Sequence, residues 1–145
     1  MSEIINLLLV EDNPADVELT RVNLEQAKIY IDLQVVMDGE AALDYLFQRE
    51  AYIDAKRPDL VLLDLNLPKV NGIEVLTQIK NDSDLKGIPV VVLTSSEADS
   101  DVVNAYANHA NAYVTKPIGL DSFDKIVKSI ENFWLTVVKL APKKD

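Results

Sequence analysis

Five short apolar runs punctuate the chain, and each stops at a polar or charged residue. Residues 4–10 are apolar except for Asn6, and Glu11-Asp12 follow at once. Residues 33–37 form a shorter second run. Leu60-Val61-Leu62-Leu63 leads straight into Asp64, residues 88–93 into Thr94-Ser95-Ser96, and residues 112–115 into Lys116-Pro117. Runs this apolar and this short read as strands covered on both faces, which in a soluble chain means a parallel sheet.

The intervening segments carry helical spacing. Asn13 before Pro14 reads as an N-cap with proline at the first helical position. Asp16 then suits the helix dipole, and Val17, Leu24 and Ala27, joined by Leu19 or Thr20, form a stripe that runs out near Lys28. A second helix is expected over 39–49, with Ala42, Leu43, Leu46 and Phe47 on its apolar face. Residues 51–58 read as polar and irregular. Pro68 and Asn71-Gly72 mark the 65–72 loop as turns. A third helix over 73–80 is expected to bury Val75, Leu76 and Ile79, and 81–89 reads as a loop. A weaker helix, rich in Ala and Asn, spans 99–109. The last helix starts near Leu120 and carries Phe123, Ile126, Val127, Ile130, Trp134 and Val137, ending in a frayed tail at about 140–145.

Five strands alternating with five helices predict one doubly wound five-stranded parallel sheet, a single domain over 1–145. Right-handed crossovers leave the order 2-1-3-4-5 as the leading topology. It sets the first and third strands side by side where their loops diverge, so Glu11, Asp12 and Asp64 converge on one crevice. Thr94 and Lys116 close the neighbouring fourth and fifth strands.

Composition narrows the chemistry. Cysteine is absent, which removes disulfides and thiolate metal sites and fits a reducing compartment. The apolar runs are too short to span a bilayer, and the N-terminus lacks a signal-peptide pattern. A cytoplasmic location is therefore expected. The net charge of −10 repels phosphate backbones and argues against direct nucleic-acid binding.

Three carboxylates brought together repel and call for a compensating cation. Hard oxygen donors with no imidazole or thiolate nearby suit Mg²⁺ or Mn²⁺. One divalent ion plus Lys116 would balance the three negative charges. Asp64 can act as a nucleophile, since carboxylates form aspartyl phosphates. The metal and Lys116 would stabilise the transferring phosphoryl group, and the Thr94 hydroxyl would sense the modification. Singly, each residue also has a plainer role: Glu11-Asp12 leading into the Asn13 cap, Thr94 as a turn hydroxyl, Lys116 as a solvated loop lysine. Asp64 is harder to explain away, because an acid closing a buried strand is desolvated without gain unless it has a partner.

The whole set resembles a response-regulator receiver domain, over essentially the full length. The resemblance rests on Glu11-Asp12, on Asp64 within Leu63-Asp64-Leu65-Asn66-Leu67-Pro68, and on Gly72, Thr94 and Lys116-Pro117. It implies a flavodoxin-like fold and Mg²⁺ bound by Asp12, Asp64 and the Asn66 backbone carbonyl, with Glu11 acting through water. It also implies a cis peptide between Lys116 and Pro117 and a switch in which Tyr113 turns inward as Thr94 moves. Asn13-Pro14-Ala15-Asp16, Leu65-Asn66-Leu67-Pro68-Lys69, Ile88-Pro89-Val90-Val91-Val92-Leu93-Thr94-Ser95-Ser96 and Phe133-Trp134-Leu135 are similar to the single-domain regulators paired with phytochromes. Some of those lack the acceptor; this chain has Asp64. The implied partner is a sensor histidine kinase, a phytochrome. With no attached output module expected, the signal would leave through a surface.

Phe133, Leu135 and Leu140 fall outside the sheet-facing stripe of the last helix, so that helix is apolar on more than one side. A homodimer through the fourth helix, fifth strand and fifth helix is expected, with Phe133, Trp134 and Leu135 on its surface. His109, the lone histidine, sits near a helix end, where it suits the dipole; the phosphohistidine is expected from the partner. Competing classes are a Mg²⁺-dependent phosphatase, an FMN binder and a binding module that never uses phosphorylation. Asn66 in place of a helpful acid speaks against the first. Repulsion of a cofactor phosphate by Glu11-Asp12 speaks against the second.

Overall fold

The computed structural model describes residues 4–25, 30–94, 104, 107, 110 and 112–115, with the backbone alone at Asn23, Thr94 and 112–115. Its elements are β1 (Ile4–Val10), α1 (Pro14–Glu25), β2 (Tyr30–Val36), α2 (Gly39–Leu46), a 3-10 turn (Glu50–Tyr52), β3 (Leu60–Asp64), α3 (Gly72–Asn81), β4 (Val90–Thr94) and β5 (Ala112–Thr115). The strands form one sheet in the order β2-β1-β3-β4-β5, parallel at every pairing. This is the expected topology. Of the two remaining predicted helices, Asn104 and Ala107 are helical; the rest lies outside the described residues.

Strand alternation divides the core into two layers. Leu8, Val10, Val36, Val61, Leu63, Val90 and Val92 face α2 and α3, where Ala42, Leu43, Leu46, Val75, Leu76 and Ile79 meet them. Leu7, Leu9, Leu60, Leu62 and Leu93 face the other way, with Leu24 buried among them and Val17 packed against them. β3 is buried along its whole length, so each of its leucines and its valine contributes roughly 1.5–3 kcal/mol by leaving water. That burial fixes where the strand stops, and therefore where Asp64 stands.

Helix starts follow the side-chain chemistry. Asn13 Oδ1 accepts the Ala15 N–H at 2.9 Å, Asp38 Oδ1 the Ala41 N–H at 2.7 Å, and Asn71 Oδ1 the Glu74 N–H at 2.9 Å. Each satisfies a donor that the first turn leaves without a backbone partner.

Several boundaries differ from the sequence expectation. β2 starts at Tyr30, not 33, because parallel pairing with β1 extends to Ile4↔Tyr30, and it stops at Val36, not 37. α2 ends at Leu46, not 49: Phe47 closes it, and Gln48 and Glu50 take φ values of 53° and 56°. The segment expected to be irregular instead holds the 3-10 turn, with the Tyr52 ring 5.5 Å from that of Tyr45. α3 gains one residue at each end. β4 starts at Val90, not 88, because the Ile88 N–H turns back to the Leu85 carbonyl at 2.9 Å. Among the described residues, no helix is long and apolar enough to cross a membrane.

Candidate phosphoacceptor and metal site

β1 and β3 are neighbours, in register from Leu7↔Leu60 to Val10↔Leu63. Both strands then end in acids. Carboxylate oxygens of Glu11, Asp12 and Asp64 all lie within 4.8 Å of one another. Glu11 and Asp64 are 1% and 4% exposed, whereas Asp12 is open to solvent. One wall of the site is therefore solid protein, and the other admits a ligand.

Each buried acid is held by backbone. The Glu11 N–H continues the sheet by donating to the Val36 carbonyl at 3.0 Å, and Glu11 Oε1 accepts the Asn13 N–H at 3.1 Å. Asp64 Oδ1 accepts the Asn66 N–H at 2.9 Å, and the Leu65 N–H reaches the Leu93 carbonyl at 3.3 Å. Behind Asp64, the Gly72 N–H donates to the Leu65 carbonyl at 3.0 Å. A Cβ at Gly72 would overlap the Asp64 carbonyl oxygen and Leu65 Cα. Glycine is required there by close approach.

The donor set fits a hard divalent cation. Oxygens bound to one such ion at 2.0–2.6 Å lie at most about 4–5 Å apart, which the 4.8 Å limit satisfies. Two buried carboxylates at that separation repel by about 3 kcal/mol at an effective dielectric near 20, and a bound cation would reverse the sign. Asn66, one of the expected ligands through its carbonyl, follows immediately in the 65–71 loop and is exposed.

The structure brings Glu11, Asp12 and Asp64 together, as expected from strand order. Thr94 ends β4 beside β3 and pairs in register with Thr115, and Tyr113 lies in β5 opposite Val92. The side chains of Thr94 and Tyr113 lie outside the described residues. So do Lys116, Pro117, His109, Phe133, Trp134 and Leu135. Asp38, the cap of α2, reaches Lys69 of the site's loop, Oδ2 to Nζ 3.7 Å, a contact that the sequence does not announce. A helix cap and a loop lysine raise no signal by type; only the Asp38-Gly39 dipeptide at a helix start hints at a tight approach.

The response regulator receiver domain family model matches residues 7–128. Response regulator Rcp1 of Synechocystis sp. is 48% identical over 134 residues, covering 92% of this chain and 91% of Rcp1. The Mn²⁺-bound crystal structure of Rcp1 superposes with a TM-score of 0.82 at 47% identity, covering 90% of this chain and 94% of that one. The phosphorylated cyanobacterial phytochrome response regulator RcpA gives a TM-score of 0.84 at 46% identity, covering 93% and 96%. A parallel sheet in the order 2-1-3-4-5, an acid closing its central strand and two more beside it accord with these matches: the chain belongs to the response regulator receiver domain family and is a two-component signalling protein.

Proposed function

We propose that Asp64 accepts a phosphoryl group from the phosphohistidine of a sensor histidine kinase, a phytochrome, in a Mg²⁺-dependent reaction. The observation that carries this reading is the placement of Asp64. It closes the fully buried central strand, with two further carboxylates within 4.8 Å. Its likeness to the phosphorylated regulator RcpA and to Mn²⁺-bound Rcp1 supports the same reading.

Asp12, Asp64 and the Asn66 carbonyl would hold the cation, with Glu11 contributing through water. Mn²⁺ would serve in its place. Bound there, the ion neutralises charge on the phosphoryl oxygens. An Asp64 carboxylate oxygen attacks phosphorus as the P–N bond to the donor imidazole breaks, and the ring nitrogen keeps the electron pair. The Asn66 N–H holds Oδ1, which limits rotation of the carboxylate and keeps it near the attacking geometry. Lys116 would supply the counter-charge, aimed by the cis peptide to Pro117 that the resemblance implies. Thr94 hydrogen-bonds the transferred group, and Tyr113 follows Thr94 inward.

The mark is transient, lost to water whose path Asn66 and Ser96 border. Asn66 carries an amide, which cannot serve as general acid or base, so repeated turnover of phosphate esters is not expected. The signal leaves through a homodimer surface that includes Phe133, Trp134 and Leu135.

Intact-protein mass spectrometry after incubation with a small acyl phosphate and Mg²⁺ tests the core of this reading. One phosphoryl adduct is expected in wild type, none in Asp64→Asn and none with chelator. An adduct that survives Asp64→Asn would sink it.

A further inference from the structure

The 65–71 loop is fastened to an element other than the strand that carries Asp64. The Gly39 N–H donates to the Pro68 carbonyl at 3.3 Å, and Lys69 Nζ lies 3.7 Å from Asp38 Oδ2. Asp38 thus caps α2 with one oxygen and meets the loop with the other. Gly39 sits so close to Val70 that a Cβ would overlap the Val70 carbonyl group. Lys69 itself has φ of 68°, a left-handed conformation that a lysine keeps only where its surroundings hold it. Three consecutive loop residues are therefore tied to the first turn of α2.

At its other end, the same loop begins with Leu65 and Asn66. We propose that Asp38, Gly39 and Lys69 are positioning residues: by anchoring the loop to α2 they set the placement of the Asn66 carbonyl and, through it, the divalent-cation affinity. This rests on the assignment of that carbonyl to the metal under the proposed function. The acidic trio sits at strand ends and needs no such anchor; Asn66, out on the loop, does. Orienting groups of this kind alter metal affinity by 10- to 100-fold when removed.

Lys69 makes the idea separable from plain electrostatics. Removing a cation near a cation site tightens metal binding through space. Freeing the loop weakens it. The two effects have opposite signs.

The test is a Mn²⁺ titration of the chelator-stripped full chain, read from the electron paramagnetic resonance of free Mn²⁺, with thermal midpoints measured in parallel. Wild type is expected to show one site that Asp64→Asn abolishes. No site in wild type, or a site that survives Asp64→Asn, overturns the metal reading and this proposal together. Given that site, Lys69→Gln is expected to bind Mn²⁺ about two- to fivefold more weakly, the scale of a half-exposed ion pair, and Lys69→Arg to match wild type. Gly39→Ala is expected to lose about tenfold or more; if it does not fold, Lys69→Gln decides. Unchanged or tighter binding in Lys69→Gln would overturn the positioning role and leave Asp64 as the acceptor.

Discussion

Gly72→Ala perturbs the acceptor without touching any charged group. The new methyl would overlap two backbone atoms, the Asp64 carbonyl oxygen and Leu65 Cα, and lie 3.0 Å from the Leu65 carbonyl oxygen. Neither atom is the far end of a flexible side chain, so backbone must move. Overpacking of this kind costs about 1–3 kcal/mol. Stretching the 3.0 Å bond from the Gly72 N–H to the Leu65 carbonyl adds about 0.5–1.5 kcal/mol. Alanine's better helix propensity returns at most about 1 kcal/mol, and less at the first residue of α3. The net loss is about 2–3 kcal/mol, which for a chain this long lowers Tm by roughly 5–10 °C. Thermal unfolding followed by circular dichroism, in chelator so that metal cannot mask the loss, gives the number. The displaced carbonyl belongs to Asp64, so acyl-phosphate labelling should slow in the same variant at a temperature where it remains folded. A Tm within 1 °C of wild type would mean that the loop yields freely and that Gly72 does not clamp the acceptor.

Three further outcomes are expected. Asp64→Asn removes one of two buried like charges while leaving an Oδ1 for the Asn66 N–H; added Mg²⁺ should then no longer raise Tm, as it should in wild type, and a preserved Mg²⁺ shift would contradict the site. Leu63→Ala, at a position with 0% exposure in the central strand, should cost about 2–5 kcal/mol by urea unfolding; under 1 kcal/mol would show that β3 is not the packed centre. Burial, and then the charge of Asp32, raise the Tyr45 hydroxyl pKa above its usual value near 10. The stability this contributes is complete below that value and is lost as pH climbs through the folded pKa. Burial lowers Lys80, whose titration tilts stability upward with pH in the alkaline range. The difference between wild type and Tyr45→Phe cancels Lys80, so the wild-type urea midpoint should fall more steeply above pH 10; parallel profiles would refute the assignment.

The central strands were legible because their physics is uniform. β3 is buried on both faces and shows in the sequence as four apolar residues in a row. β1 and its Glu11-Asp12 end were equally plain, and with the crossover rule they were enough to bring three acids together. β2 reads short in the sequence because it is an edge strand: Tyr30 is 64% exposed and Asp32 breaks the apolar pattern. Its first residues are strand through pairing with β1, which no single-strand pattern reveals. The end of α2 is hidden in the sequence for a related reason. Gln48 and Glu50 take positive φ without a glycine to announce it, so local composition pointed to a longer helix than tertiary packing allows. The contact of Asp38 with Lys69 joins residues 31 apart, and nothing in either neighbourhood names the other.

The hydrogen-bonded pairing of β1 with β3 has a kinetic meaning. Its last pair, Val10↔Leu63, stops one residue short of Glu11 and Asp64, so these donors are assembled by the sheet before any ion arrives. With Asp12 next to Glu11 in sequence and the Asn66 loop fastened to α2, loading would then involve little search by the protein. Its rate would follow how readily the ion sheds water, slow for Mg²⁺, which dehydrates reluctantly, and faster for Mn²⁺. Rapid mixing should show a single phase that scales with the ion chosen, and the time needed to arm the acceptor becomes a property of the hydrated metal.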